Sequence, residues 1–342
     1  MQQEIKIIPI SKELYPSYYH LVQSTKWGNP MLPECFNTNL WGDVVCIGDK
    51  VIGGWVGNLR GDIPLAKWIT KSAYFDSYPV FEKFEYYNAY QDILIETIKL
   101  HAKNEGITIL NLTHWVREGN IQIDAIEHNS TFLSPLQKNE EELWKMVESK
   151  QRNCIRKGEK GGVEFLVCKG EDSLKFLSDF QRLRQQTQQH AIKKNTNASM
   201  LLKSDEFFKK IFLNPHSILF VGKVNNQVAT VALMVQSGQT VYYYSGGSDY
   251  ELNRKYCCSA FILWKSICYC NELGLQYFDM GGVPTQPSKD HPAYGVYAFK
   301  RSFGGEYVEF NSGKIVINKF KYRLLKILLS QRKLLRLFST KL

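Results

Sequence analysis

The feature that most constrains the fold is one helix-plus-strand pattern that occurs twice, once in each half of the chain. Residues 86–113 have the apolar periodicity of a long helix, stop at Gly106 and continue as an alternating strand. Residues 258–281 repeat this plan around Gly274, and in both copies an Asn-Glu pair stands just before the glycine. The two glycines are 168 residues apart in a chain of 342 residues. The sequence therefore predicts two copies of one α/β unit.

The second half shows a complete order of elements: a strand, two helices, an antiparallel run of strands, a long helix and a final strand. Turn residues at Asn225-Asn226 and Ser237-Gly238 separate the strands of the antiparallel run. This order is expected of an acetyltransferase-like (GNAT) domain. The strand patterns before the long helix begin at Val163, Ser217, Val228 and Thr240, and the two early helical patterns begin at Ser173 and Leu201.

The first half carries a looser version of the same order, with an opening strand at IKIIPI and a hairpin around Asp49-Lys50. We predict an α/β (α+β) fold of two tandem GNAT-like domains, each a mixed and mostly antiparallel sheet flanked by helices. The predicted parts are a degenerate GNAT-like domain over residues 1–140, a GNAT-like acyltransferase domain over residues 141–318 and a basic amphipathic helix over residues 319–342.

The net charge of +10 predicts an anionic partner: nucleic acid, phospholipid headgroups or a phosphate-bearing substrate. The segment 319–342 holds eight Lys or Arg and no acid, interleaved with apolar residues. Such a helix can lie in an anionic membrane surface with its apolar face buried. A helix docked on the protein's own body fits the pattern equally well, and contact with tRNA is a third interpretation.

Several expectations rest on what the sequence lacks. The N-terminus has no basic region followed by an apolar stretch and a cleavage site, and no window approaches 18 uninterrupted apolar residues. We therefore expect a cytoplasmic monomer, at most peripheral at the inner face of the plasma membrane. The eight cysteines have neither zinc nor disulfide spacing. With no phosphate-binding loop or dinucleotide fingerprint either, we expect no metal and no nucleotide cofactor.

Four sequence pieces in the second half occur in a fixed order. They are an aromatic strand ending in small residues over 242–247, a helix, the segment FDMGG over 278–282 and the segment FKRSFG over 299–304. This order is similar to the C-terminal signature of the Fem peptidyltransferase family, which includes FemA, FemB, FemX and relatives with a BioF2-like acyltransferase domain. The basic segment from Ser149 resembles the one that opens the second Fem domain, and His190 lies where relatives have a helix-ending Arg-His-Gly.

The resemblance implies an enzyme that moves an aminoacyl group from aminoacyl-tRNA onto an amine of a UDP-linked or lipid-linked peptidoglycan precursor. The chain departs from the family because it has no room for the long coiled-coil arm of FemA and FemB. It also has Lys26-Trp27 in place of the Trp-x-x-x-Lys diphosphate contact. Beside His190, Gln189 and Ala191 replace the Arg and Gly of the relatives. The transferred group stays open among glycine, serine and alanine.

Two residues carry the predicted chemistry. In Fem enzymes the Lys of Phe-Lys faces the transferring centre, so the resemblance implies that the Lys300 ammonium holds the tetrahedral oxyanion while Phe299 positions the adjacent substrate. Asp279 stands at a strand end before Gly281 and Gly282, which let the backbone approach a ligand closely, and would orient a substrate amine or the lysine. A surface lysine and a carboxylate that merely caps a Gly-Gly turn are the structural alternatives.

Further substrate-binding residues are predicted around this pair. Tyr243 points opposite its two tyrosine neighbours, so one face of that strand packs in the core and the other lines a cleft. Arg152 and Arg156 share one helix face and are suited to gripping a phosphate of tRNA, a diphosphate-sugar or a lipid headgroup, with a solvated charged face as the alternative. The predicted binding set is Phe299, Tyr243, Gly281, Gly282, His190, Arg152 and Arg156.

Two other functions stay open on the sequence. A CoA-dependent N-acyltransferase acting on an amino sugar of a surface polysaccharide would use the same fold. However, SGGSDYELNRKYCCSAF departs from the Arg/Gln-x-x-Gly-x-Gly/Ala loop that cradles the CoA pyrophosphate. The other function is a non-catalytic module that binds the membrane surface through its basic tail. We expect aminoacyl-tRNA as the co-substrate, with acyl-CoA as its alternative.

Overall fold

The structure is a computed structural model that describes residues 4–28, 39–61, 67–75, 77–112, 123–193 and 204–328. The elements of the first half are β1 (Ile5–Pro9), α1 (Tyr15–Gln23), β2 (Leu40–Ile47), β3 (Lys50–Arg60), α2 (Lys67–Thr70), β4 (Ser72–Phe75), β5 (Val80–Phe81), α3 (Phe84–Asn104), β6 (Ile109–Leu112) and β7 (Ala125–Pro135). The elements that follow are α4 (Glu140–Met146), α5 (Ser149–Lys160), β8 (Glu164–Cys168), α6 (Glu171–Leu174), α7 (Leu177–Lys193), α8 (Asp205–Phe212), β9 (Ser217–Val224), β10 (Gln227–Ser237), β11 (Thr240–Ser248), α9 (Tyr250–Tyr256), α10 (Cys258–Glu272), β12 (Tyr277–Asp279), α11 (Tyr294–Arg301), β13 (Glu306–Val316) and α12 over residues 319–328.

Residues with left-handed backbone end several elements where the sequence predicts. Gly106 (φ 69°) follows α3 and Gly274 (φ 75°) follows α10, so the helix–glycine–strand repeat in the sequence is also a repeat in structure. Asn225 and Asn226 (φ 50° and 64°) join β9 to β10 as a two-residue hairpin turn. These local signals confirm the predicted element order.

The thirteen strands of the described residues form one sheet. Its order is β1-β2-β3-β4-β6-β13-β7-β12-β11-β10-β9-β8, with β5 beside β3. The pairs β4–β6 and β11–β12 are parallel, and the other neighbours are antiparallel. The predicted mixed and mostly antiparallel arrangement is confirmed, but the two halves share a single sheet where one sheet each was expected.

An exchange of last strands joins the two halves. β7 follows β6 in the chain but pairs with β12 of the second half, where Ser134 lies opposite Phe278. β13 follows β12 but pairs with β6 of the first half, where Gly313 lies opposite Leu112. Each half therefore completes the sheet of the other, and β7 brings first-half residues to the end of β12. The predicted boundary near residue 140 falls just after β7 and stays a prediction.

Helices cover both faces of this sheet. In the first half, α3 packs Leu94 and Ile98 against the sheet residues Trp55 and Phe75. In the second half, α10 covers one face, and α7 and α8 cover the other. The two faces of the second half therefore have separate cores, and a gap between its strands would connect them.

Trp55→Ala is expected to be strongly destabilising. The indole is fully buried, stacks on Phe75 with ring centres 4.2 Å apart and donates its Nε1–H to the Ser77 carbonyl at 2.7 Å. Its loss opens a cavity and removes a buried hydrogen bond, so we expect the free energy of unfolding in urea to fall by about 3–5 kcal/mol. Trp68→Ala, at a residue 55% exposed, is the control and should change it by less than about 0.5 kcal/mol. Equal losses of unfolding free energy in the two variants would contradict the buried position of Trp55.

The first part of the basic C-terminal segment docks on the first half. In α12 the Lys321 Nζ donates to the Gly106 carbonyl at 3.1 Å, and Leu325 is buried. Phe320 and Ile327, seven positions apart and so on one face of the helix, are 67% and 55% exposed. The docked interpretation therefore holds for residues 319–328, and the rest of the predicted helix lies outside the described residues. Of the helices that are described, none is long and apolar enough to cross a bilayer.

Candidate active site

The sheet opens between β11 and β12. These parallel strands pair only from Thr240 with Tyr277 to Tyr242 with Asp279. Beyond that point β11 continues beside β10, with a β-bulge between Tyr243 and Ser245. The gap holds a cleft of about 640 Å³, lined by α7 on one side and by α10 and α11 on the other. The cleft therefore connects the two faces of the sheet.

The three consecutive tyrosines take different positions at this opening. Tyr242 is fully buried, and its hydroxyl donates to the Trp27 carbonyl of the first half. Tyr243 and Tyr244 pack toward opposite faces of the sheet, yet both line the cleft because the sheet is open here. Burial raises the pKa of Tyr243 to about 12, with Arg184 acting in the opposite direction. Its phenol is therefore a neutral hydrogen-bond donor at physiological pH.

Lys300 projects from α11 into the cleft. Its Nζ donates to the Gly282 carbonyl at 3.0 Å and lies 5.4 Å from the centre of the Tyr243 ring. The residue is half-buried in the cleft wall, which takes its ammonium partly out of water. This desolvation lowers the pKa of Lys300 to about 8, and the Asp279 carboxylate acts in the opposite direction. The ammonium is therefore mostly charged at pH 7 and only weakly shielded by water.

Asp279 holds the loop that Lys300 contacts. The carboxylate is fully buried, and its Oδ1 accepts hydrogen bonds from Thr131 Oγ1 at 2.6 Å and from the Gly281 N–H at 2.8 Å. It lies behind the residues that line the cleft. Asp279 therefore caps the amide of the Gly-Gly turn. It affects Lys300 in two ways: it holds the turn whose Gly282 carbonyl accepts from the lysine, and its negative charge favours the ammonium. Its predicted role in orienting a substrate amine or Lys300 stays a prediction.

Gly281 must be a glycine at this turn. Its φ is 73°, and a Cβ would lie 2.7 Å from the Tyr243 carbonyl oxygen. Gly281 and Gly282 line the cleft, and so does Phe299, whose ring packs edge-on against Phe303 with centres 5.3 Å apart. The Gly-Gly pair thus lets the backbone approach both Tyr243 and the lysine.

Three of the predicted binding residues lie outside the cleft. His190 is on α7 beside the cleft, where its ring stacks on Tyr250 with centres 4.5 Å apart. Arg156 is exposed on α5 and lines a separate groove. Arg152, one turn earlier, is not among the residues that line the cleft or that groove. The structure does not bring these three side chains to Lys300, and their part in substrate binding stays a prediction.

Two residues near the site were missed by sequence reasoning. Thr131 reaches Asp279 from β7 through the strand exchange, which no local pattern reveals. Arg184 on α7 is 3% exposed and donates its Nε–H to the Ser245 Oγ in the cleft wall at 2.8 Å. Burial lowers the pKa of this guanidinium. One signal was available: Arg184 falls four positions after the buried Phe180, on the apolar stripe of the helix.

Lys26 and Trp27 lie at the contact between the first and second halves of the chain. The Lys26 Nζ lies 4.7 Å from the centre of the Trp27 ring and 4.3 Å from that of Tyr277. The Lys26 carbonyl accepts from the Thr240 hydroxyl at 2.7 Å, and the Trp27 carbonyl accepts from Tyr242. Both residues therefore support the start of β11, just before the cleft begins.

The cysteines of the described residues lie mostly in the core. The seven cysteines of the described residues are free, and five of them are buried. Burial raises the pKa of Cys270, the most enclosed of the helical thiols. In the described ranges, no group of three or more His, Cys, Asp or Glu side chains is placed to hold a metal ion.

A family comparison covers the region that builds this cleft. Residues 193–330 match the model of the FemAB family. Over these residues the chain is similar to the FemAB family. The matched region includes β9 to β13, α10 and α11, and so contains Tyr243, the Gly-Gly turn and Lys300. The resemblance to the Fem family is confirmed over this part of the sequence.

Curated relatives match over a shorter stretch. The protein named Lipid II:glycine glycyltransferase of Staphylococcus aureus (strain USA300) is 31% identical over 97 residues, which are 28% of this chain and 23% of that protein. The protein of the same name from Staphylococcus haemolyticus (strain JCSC1435) is 30% identical over 97 residues. The match thus spans less than a quarter of the length of these relatives.

Solved structures are similar over nearly the whole chain. A crystal structure of FemX superposes with a TM-score of 0.68 at 16% identity and covers 93% of this chain and 99% of that one. A tandem GNAT protein from the clavulanic acid biosynthesis pathway superposes with a TM-score of 0.50 at 10% identity, over 92% and 99% of the two chains. These likenesses confirm the predicted tandem GNAT-like fold.

Proposed function

We propose that this protein transfers an aminoacyl group from aminoacyl-tRNA to an amine of a lipid-linked peptidoglycan precursor. The observation that carries the proposal is the Lys300 ammonium, held at the Gly282 carbonyl inside the cleft of the FemAB domain. The relatives' name, Lipid II:glycine glycyltransferase, supports amino-acid transfer to such a precursor. The departure from a CoA-cradling loop also favours a donor other than acyl-CoA.

The proposed reaction needs a cation to stabilise the negative charge that develops on the carbonyl oxygen. The acceptor amine attacks the ester carbonyl of the donor, a C–N bond forms, and the carbonyl oxygen becomes an oxyanion. The Lys300 ammonium stabilises that charge, and because it is desolvated its electrostatic effect is larger than in water. The ester C–O bond then breaks, and the proton lost by the amine ends on the ribose hydroxyl that leaves. The reaction uses no cofactor.

The cleft offers separate approaches for two substrates. Because it passes between β11 and β12, α7 lines one opening, and α10 and α11 line the other. Tyr243 and Tyr244, packed toward opposite faces, both border the connecting space. Donor and acceptor can therefore enter from opposite faces of the sheet and meet at Lys300, which places the reacting groups together.

A lipid-linked acceptor requires access to a membrane surface. The exposed Phe320 and Ile327 on one face of α12, with the exposed Arg323 and Lys326 beside them, combine apolar and cationic groups. Such a face suits peripheral contact with an anionic membrane. The proposal therefore includes peripheral membrane association through α12.

The donor is tested by supplying two labelled pools to the full chain. One holds tRNA charged with a mixture of radiolabelled amino acids, and the other holds labelled acetyl-CoA; UDP-linked and lipid-linked precursors serve as acceptors in both. We expect label to reach the lipid-linked precursor from charged tRNA. Label arriving only from acetyl-CoA would replace the proposal with an N-acyltransferase, and label from neither pool would favour a binding module.

A further inference from the structure

A second concave surface, here called the basic groove, lies between α5 and the end of α9. Its volume is about 520 Å³. Four of the side chains that line it are cationic, and none of its lining residues is acidic. The four cations are Arg156, Lys157, Lys160 and Lys255.

Helix packing places these cations in solvent. Ile155 and Gly158 form the buried face of α5, and a Cβ on Gly158 would lie 2.6 Å from the Cβ of Phe261 on α10. This close approach turns Lys157 and Lys160 to the exposed side of the helix. None of the ion pairs among the described residues involves the four cations of the groove. The groove therefore carries a concentrated positive charge that a polyanion can neutralise.

The basic groove is connected to the cleft through the short helix α9. Asn253 lines the cleft, whereas Lys255 and Tyr256, two and three residues further on, line the groove. At the start of α9 the Tyr250 ring is 52% exposed and stacks on His190 beside the cleft. Helix α9 thus carries the exposed Tyr250 at its start, stacked on the half-buried His190 of α7, and the cation Lys255 near its end. This combination is typical of surfaces that bind RNA, which stack bases and neutralise phosphates.

A membrane fits this surface less well than RNA does. Binding in a lipid surface buries large apolar side chains, but the exposed large apolar residues of the described chain include none that lines the groove. Phe320 and Ile327, which would suit a membrane, lie on α12, which docks on the first half. The occupant that the groove favours is a hydrophilic polyanion.

We propose that the basic groove binds the phosphodiester backbone of the RNA donor and directs its acylated end past α9 into the cleft. The inference rests on the proposed function for the identity of the donor. It assigns Lys157, Lys160 and Lys255 as phosphate contacts together with Arg156. It also gives the His190–Tyr250 pair the role of a stacking platform at the cleft entrance.

The test compares two double charge reversals in the full chain. Lys157→Glu/Lys160→Glu removes two cations in the last turn of α5, and Lys209→Glu/Lys210→Glu removes two exposed cations in the last turn of α8 as the matched control. Binding of uncharged tRNA is followed by fluorescence anisotropy across a salt series. We expect the groove variant to bind about 10- to 100-fold more weakly, with a log–log salt slope smaller by about 1.4–1.8. The control should bind as the unaltered protein does.

Four outcomes separate this inference from the proposed function. Unchanged tRNA binding in the groove variant overturns the groove whatever the catalytic activity. Loss of binding to anionic phospholipid vesicles with tRNA binding intact also overturns it and assigns the groove to the membrane. For catalysis, a short aminoacylated dinucleotide serves as a donor that is too short to reach the groove. In the groove variant, kcat/KM for charged tRNA should fall about tenfold relative to kcat/KM for this short donor, and in the control variant the two values should keep their ratio. If the unaltered protein transfers from neither donor but binds tRNA through the groove, the proposed function fails and the groove stands.

Discussion

Lys300→Ala is expected to lower kcat/KM for aminoacyl transfer by about 10²–10³-fold, the cost of removing one group that stabilises an oxyanion. Among the described residues, Lys300 is the cation that lines the cleft, beside Tyr243 and against the Gly282 carbonyl. Its removal should not destabilise the fold, because the lowered pKa shows that holding the ammonium away from water opposes folding. Steady-state kinetics with charged tRNA and thermal unfolding measure the two effects.

Arg301→Ala is the matched control for this prediction. Arg301 is the next residue on α11, but its Nε donates to the Glu148 carboxylate at 3.2 Å in a pair that is about half exposed on both sides. Exposed pairs of this kind contribute little, so activity should stay within about threefold of the unaltered enzyme. Similar activity losses in the two variants would mean that Lys300 has no special role in the cleft.

Asp279→Asn is expected to move the alkaline limb of the pH–rate profile to lower pH. Burial lowers the pKa of Lys300 to about 8, and the Asp279 charge counteracts this shift. If catalysis needs the ammonium, activity falls as pH rises through about 8 in the unaltered enzyme. Without the carboxylate charge the pKa of Lys300 is lower still, so the loss of activity with rising pH begins at a lower pH. Asparagine keeps an oxygen that can accept from Thr131 and Gly281.

Asp279→Ala separates the charge of this residue from its hydrogen bonds. It removes the acceptor of the Gly281 N–H, and a buried donor without an acceptor costs about 1–3 kcal/mol. The Thr131 hydroxyl can still donate to the Gly281 carbonyl, which lies 3.0 Å away. We expect that loss in the free energy of unfolding, and a lower kcat because the turn that holds Lys300 moves. A profile for Asp279→Asn that coincides with that of the unaltered enzyme would show that Asp279 acts on structure alone.

The local parts of this fold could be predicted from the sequence because their causes are local. The glycines after α3 and α10, the Asn225-Asn226 turn and the alternating strands each depend on a few neighbouring residues. The exchange of β7 and β13 could not be predicted, since periodicity tells which residues form a strand but not which strand lies beside it. The single continuous sheet follows from that exchange.

The candidate site likewise has residues that the sequence predicts and residues that it does not. Lys300, Phe299, Tyr243 and the Gly-Gly turn lie within motifs that are contiguous in sequence, and the structure gathers them in one cleft. Thr131 was missed because it is 148 residues away from its partner Asp279. The basic run of α5 is evident in the sequence, but the helix does not face the cleft, because its Gly158 side packs on α10. Those cations form a surface of their own.

The most direct test of the central claim is the mass of a lipid-linked peptidoglycan precursor after incubation with the full chain and charged tRNA. We expect a gain equal to one aminoacyl residue on the precursor amine, absent with uncharged tRNA and formed about 10²–10³-fold more slowly with Lys300→Ala. A precursor of unchanged mass with every charged tRNA, or a gain equal to an acetyl group that requires acetyl-CoA, would contradict it.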